Sequence, residues 1–332
     1  MTGVATPTRP AAPPPGPPGG PPKAVGPQSP PWRLIDRLGL AACWAMGILF
    51  CAIAAAIVGY FLIQGLKYLR PEMLWTRPHQ GFTQAQTGGL SDPLLGTLLV
   101  GAMGMAIALP VGVAIAVWLS EYGRPSALAR VVESTIEAIA GTPSIVLALF
   151  GTLIFSSTAL GFLTRTSAGV VFGRSFFAAG AMLSLVALPL VVGSTREGLQ
   201  AIPQHIREAS YAAGKTKAAT TRRILLPACR PQVATGAMLG LGRIIGDTAI
   251  IVVLLGATLT FEPVGGTWLL NTLKGTGGTL TSYVYQASPT GELNQPQKAY
   301  AAATILLLLV LVLNAAVDVV HRRARRAGSW NS

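Results

Sequence analysis

Six long apolar stretches dominate this chain: Leu38–Leu66, Leu94–Leu119, Thr135–Phe162, Ser175–Ser194, Val233–Leu259 and Ala301–Val319. Each is near or above the ~20 residues that a helix needs to cross a bilayer. A soluble domain carries roughly 25% charged residues, whereas this chain has 11%, against 51% hydrophobic. That deficit cannot cover a water-facing surface. In lipid every backbone amide must bond within its own segment, so the stretches are expected to be helices. The fold class expected is all-α and integral to the membrane, with six transmembrane helices. Pro110, Pro143 and Pro189 fall inside the stretches, where neighbouring helices repair the freed backbone groups. Gly96, Gly101, Gly104 and Gly112 recur at a spacing that suits close helix contact.

The net charge is +13, from 25 Lys and Arg against 12 Asp and Glu. With the N-terminus in the cytoplasm, 17 of the basic residues fall on the inner side and seven outside, and Arg243 lies within a stretch. That asymmetry obeys the positive-inside rule with both termini cytoplasmic. It accounts for the basic balance without nucleic acid, and no RNA- or DNA-binding pattern is present. Cys43, Cys51 and Cys229 lack a metal or disulfide spacing, and the three histidines are scattered. Residues 1–37 read as a disordered Pro-rich cytoplasmic tail with no signal-peptide h-region. Residues 38–320 read as the transmembrane domain, and 321–332 as a basic cytoplasmic tail. The outer loop over roughly 260–300 is Gly- and Thr-rich, with Trp268, Tyr283 and Tyr285 suited to an external partner or to an interfacial aromatic belt.

The loop between the fourth and fifth stretches runs from Ile202-Pro203 to Pro227 with apolar residues at helical spacing on both sides of Gly214. Pro203 suits a helix's first turn. Gly214 suits the left-handed position that ends one, and Pro227 closes a second. Two short helices joined by a turn are expected, with an exposed basic face.

This loop resembles the EAA loop of type I ABC importer permeases: Glu208-Ala209-Ser210, three residues, Gly214, nine residues, Ile224, one residue, Leu226-Pro227. Ser210 is the one departure, small for small. Further segments follow in the family's order. They are Gly88-Gly89-Leu90 with Gly96-Thr97-Leu98, Ser120-Glu121-Tyr122, Gly141-Thr142-Pro143-Ser144-Ile145-Val146, Arg243-Ile244-Ile245-Gly246-Asp247-Thr248-Ala249, and Leu313-Asn314. In this order, from about residue 85 to 320, the chain resembles the PstA-type permease family of phosphate-specific importers. Asp247 stands where that family has Glu, and Ile250 where a proline often follows.

The resemblance implies a six-helix permease with a cytoplasmic coupling helix that transmits the motion of an ATPase subunit. Arg207, Glu208, Ala209, Ser210, Gly214, Ile224, Leu226 and Pro227 would form that element. Ala209, Ala212 and Ala213 would give a small seating face, and Arg207 and Glu208 polar pairs with the partner. The partners implied are a second, PstC-type permease, two PstB-type ATP-binding subunits, an extracytoplasmic PstS-type phosphate-binding protein and membrane lipid. No cofactor is expected on this chain, with ATP and Mg on the ATPase subunits. Sulfate and molybdate permeases share the loop, so another oxyanion stays open as the solute.

Arg243 lies about ten residues into the fifth stretch, roughly 15 Å of helix rise. A charge at that depth costs about 2.5–3.5 kcal/mol on insertion scales and is by default a functional candidate. Asp247 is four residues on, the spacing of one helix face. Either the two form a self-neutralising structural pair, or Arg243 lines a passage and forks onto an anion's oxygens, with Asp247 and Thr248 beside it. The chain has no P-loop: Gly214-Lys215-Thr216 lacks the earlier glycine and strand. An intramembrane enzyme would need a nucleophile with a base inside the stretches, and no histidine falls there.

Overall fold

A computed structural model describes residues 34–77, 89–123, 126–164, 166–167, 170–171, 173–256, 272–289, 291, 293 and 295–328. The proline-rich segment before Leu34 and residues 257–271, which include Trp268 and the start of the Gly/Thr-rich loop, lie outside these residues, as does Gly88. The helices are α1 Leu34–Tyr68, α2 Ser91–Val117, α3 Ala127–Gly141, α4 Ser144–Phe155 and α5 Phe176–Gln200. Then come α6 Gln204–Ala212, α7 Lys217–Thr220, α8 Leu226–Ala228, α9 Arg230–Gly246, α10 Ala249–Leu255, α11 Leu280–Ala287 and α12 Pro296–Gly328. A π-helical turn, Trp118–Tyr122, extends α2, and another, Thr221–Leu225, joins α7 to α8. A two-residue antiparallel ladder pairs Thr166 with Val171 and Ser167 with Val170.

Four helices are long and apolar enough to cross a membrane, and up to six spans result if each of two bent pairs is one. The third and fifth apolar stretches therefore differ from the straight helices expected. The axis turns by 108° between α3 and α4, and by 59° between α9 and α10. At the first bend Thr142 is extended (φ −79°, ψ 129°) before Pro143, because a proline ring disfavours helical backbone in the residue preceding it. Pro110 and Pro189 stay inside continuous helices.

The chain divides into two units, Met1–Ala56 and Ile57–Ser332. In the first, the described part of α1 is exposed, including Trp44, Ile48 and Phe50. In the second, α2, α5 and α9 pack together. Val100 and Ala108 of α2, Leu183 and Ala187 of α5, and Ile244 of α9 share one buried cluster with Ile250, Ile251 and Leu254 of α10.

Small residues set these contacts. A Cβ at Gly104 would stand 2.9 Å from Ile244 Cδ1, and one at Gly112 2.7 Å from Val191 Cγ1. Both distances are too short for any carbon contact, so the helices approach as closely as they do only because hydrogen occupies those positions. The last part of α1 docks on α12, where Thr304 Oγ1 donates to the Phe61 carbonyl at 3.1 Å. Thr97 Oγ1 accepts from the Leu280 amide at 2.9 Å and fastens α11 to α2.

Candidate functional site

Two places gather the residues singled out from the sequence: the helical hairpin between α5 and α9, and the break between α9 and α10.

The hairpin forms as its turn chemistry requires. Helix α6 ends at Gly214, whose φ is +74°. The Lys215 amide bonds the Ser210 carbonyl at 3.2 Å and the Gly214 amide bonds that of Tyr211 at 2.9 Å, the paired closure of a Schellman motif. A Cβ at Gly214 would meet nothing within 4 Å, so the glycine serves the backbone angle and not close packing. Thr216 caps α7 by accepting from the Ala219 amide at 3.3 Å. The hydroxyls of Ser210 and Thr220 bond each other at 2.8 Å, in a buried contact that ties α6 to α7.

Glu208, Ala209 and Ala212 of α6 and Ala213 just after it are all exposed. Arg207 differs from the polar contact with a partner expected of it, because it turns inward, as Ser210 also does. The Arg207 guanidinium, 13% exposed, donates to Glu121 Oε1 through Nε (3.2 Å) and Nη2 (2.9 Å). It also donates through Nη1 to the Ile202 carbonyl (2.7 Å) and through Nη2 to that of Leu199 (2.8 Å). Those carbonyls lie at and just beyond the C-terminal end of α5, where a cation is favoured and orphan acceptors need donors. Arg207 thus fastens the hairpin to two long helices. The Lys217 ammonium lies 4.9 Å from the Tyr122 ring centroid, a second tie to the end of α2.

Ile224 and Leu226 pack on the buried cluster of Leu199, Leu225 and Cys229, and Pro227 is half-buried beside them. These residues seat the hairpin on the bundle. Pro227 lies within the final turn rather than ending it, and the backbone leaves the helix at Cys229 (φ −90°, ψ 7°). Burial pushes the Cys229 thiol above its ordinary pKa, as fits a packing group.

At the second place α9 stops at Gly246, and Asp247 is extended (φ −80°, ψ 118°). Asp247 is therefore not on the helix face expected for it. Its carboxylate still reaches back to Arg243, with Oδ2 3.8 Å from Nη2. Its Oδ1 accepts from the Ile250 amide at 3.0 Å. Asp247 is 3% exposed, whereas the Arg243 side chain is 48% exposed. The carboxylate is committed to the start of α10, and most of the guanidinium's hydrogen-bonding capacity stays open.

Thr248 lines an adjoining cavity of about 560 Å³, with Ile145 of α4, Val252 of α10 and Thr281 and Tyr285 of α11. Thr281 Oγ1 donates to the Ile245 carbonyl at 2.7 Å, satisfying an acceptor in the last turn of α9. Ile145, just after the first bend, and Thr248 and Ala249, at the second, stand about a hundred residues apart in sequence and line one cavity. The pairing of Arg207 with Glu121 and the support from Thr281 are not evident from the residues alone. A charged residue closing an apolar stretch, as Glu121 does, is the available signal.

A set of close-packed spanning helices, two of them broken, with a short helical hairpin seated at one end, defines a type I ABC transporter permease fold. The chain belongs to the family described as binding-protein-dependent transport system inner membrane component, which matches residues 108–326. It is 33% identical over 258 residues to the phosphate transport system permease protein PstA 1 of Mycobacterium tuberculosis, covering 76% of this chain and 77% of that protein. It is 30% identical over 314 residues to the phosphate transport system permease protein PstC 2 of Mycobacterium bovis, covering 87% and 93%. Among solved structures, a bacterial alginate ABC transporter in complex with an alginate pentasaccharide-bound periplasmic protein matches 87% of this chain and 95% of its own, at 15% identity and a TM-score of 0.59. The protein is a membrane-integral transport subunit.

Proposed function

We propose that this chain is a membrane-spanning subunit of an ATP-driven importer that carries inorganic phosphate into the cytoplasm. The observation that carries the reading is Arg243. It is an intramembrane guanidinium beside a helix break, held only loosely by Asp247, in a chain whose relatives are phosphate permeases. A guanidinium forks onto two phosphate oxygens. Asp247 and Thr248 keep the bound anion from being held too tightly, since a carrier must release what it binds.

In this reading α6 faces the cytoplasm with both termini and seats on an ATP-binding subunit through Glu208, Ala209, Ala212 and Ala213. Residues 1–37 and 321–332 are cytoplasmic tails. A second, homologous permease completes the passage, and an extracytoplasmic binding protein delivers phosphate. ATP and Mg belong to two ATPase subunits. Closure of those subunits on ATP pulls the hairpins together and turns the passage outward; hydrolysis resets it.

The test is ATP-dependent uptake of radiolabelled phosphate by cells lacking this chain and complemented with it, with unlabelled sulfate and molybdate as competitors. Restored uptake that neither anion suppresses supports phosphate. Restored transport of sulfate or molybdate but not phosphate makes the chain a permease for another oxyanion.

A further inference from the structure

The end of the bundle that carries the hairpin holds a second feature, separate from Arg243 and from the outer face of α6. An open cavity of about 410 Å³ runs along the first turns of α9. Its floor is Val233, Ala234 and Ala237, and its walls include Leu109 and Val113 of α2 and Val317 of α12. The small alanines make a trough between two longer helices. Arg222 and Arg230 stand at its rim with Leu226 between them. All three line this one cavity although the π-helical turn and the break at Cys229 separate them. Both arginines are exposed. Neither has an ion pair or hydrogen bond to another described residue.

We propose that this trough is a binding site for an anionic phospholipid. Two unpaired guanidiniums take the phosphate group, and the trough takes the upper part of one acyl chain. Charge complementarity selects an anion. A free phosphate would find no polar lining beyond the two arginines, because the remaining wall is apolar. A lipid satisfies both halves: fork bonds to phosphate at the rim and buried methylenes below. A bound lipid would brace Leu226 and Pro227, which seat the hairpin. The inference stands whichever solute the chain carries.

The test uses the full chain in its assembled membrane complex, reconstituted in nanodiscs of mixed phosphatidylglycerol and phosphatidylcholine and released for native mass spectrometry. Phosphatidylglycerol should be retained in preference to phosphatidylcholine. Each basic contact near the surface contributes enough that removing one should weaken retention about fivefold, and both roughly thirty-fold. The expected result is that loss for Arg222→Gln with Arg230→Gln, and little loss for Arg223→Gln, an exposed neighbour that does not line the trough. Ala234→Leu, which fills the floor and keeps both charges, should also weaken retention. Equal retention of the two lipids overturns the proposal, as does an equal loss with Arg223→Gln. So does displacement by millimolar inorganic phosphate, or a photo-crosslinker at Ala234 joining another subunit instead of lipid.

Discussion

Arg207 and Glu121 stand 86 positions apart in the chain, yet the guanidinium bonds one carboxylate oxygen through two of its nitrogens, at 2.9 and 3.2 Å. The Glu121 side chain is 5% exposed and that of Arg207 13%, and the same guanidinium closes two backbone carbonyls at the end of α5. One residue of the hairpin is thereby locked to the ends of α2 and α5. These bonds join α6 to both helices directly, besides the chain that connects them.

Arg207→Ala should leave the Glu121 carboxylate buried and unpaired, a loss of about 3–5 kcal/mol for removal of one member of a buried pair. Uptake should fall more than tenfold, and the melting temperature of the purified complex should drop. Arg207→Lys should rescue little, because an ammonium cannot reproduce the fork. Unchanged uptake by Arg207→Ala would remove the strut from the account.

Gly214→Ala asks an L-residue to hold φ near +74°, which costs roughly 1–2 kcal/mol. Open space surrounds the position, so no clash confuses the result. The yield of ATPase subunit co-purified per permease should decrease. Gly214→Asn should recover much of it, since asparagine tolerates this conformation. Glu208→Arg should also weaken co-purification, through the exposed face and without loss of fold.

Gly112→Val should fail at the level of folding. A Cβ there already lies 2.7 Å from Val191, and overpacking costs typically 1–3 kcal/mol. The amount of detergent-stable chain, followed by size exclusion, should fall well below that of Gly193→Val, whose Cβ meets nothing within 4 Å.

Asp247→Asn keeps an oxygen to accept the Ile250 amide and removes only the charge. The bend between α9 and α10 should survive, while phosphate uptake slows because Arg243 loses its counter-charge. Binding and turnover measured on reconstituted complex separate this from unfolding: the folded fraction should be normal and the rate reduced.

Much of this was legible from residues alone. The glycine spacing on α2 foretells close packing, because only hydrogen at Gly104 and Gly112 lets α5 and α9 approach. Pro203, Gly214 and the apolar spacing on both sides of the glycine spell the hairpin. The bends were less legible. Hydropathy reads residues 135–162 and 233–259 as continuous, since a 20-residue average does not register the extended backbone at Thr142 and Asp247. The inward turn of Arg207 was hidden for a different reason. Its partner Glu121 is distant in sequence, and an arginine in a basic loop looks the same whether it meets water, another subunit or a buried carboxylate.

The most direct test is phosphate uptake by reconstituted complex carrying Arg243→Gln, with ATP hydrolysis and subunit content measured on the same vesicles. The account predicts a complete complex that still hydrolyses ATP and moves almost no phosphate, because the hairpin is intact and the anion's partner is gone. Normal phosphate uptake by that complex would contradict it and take Arg243 out of the passage.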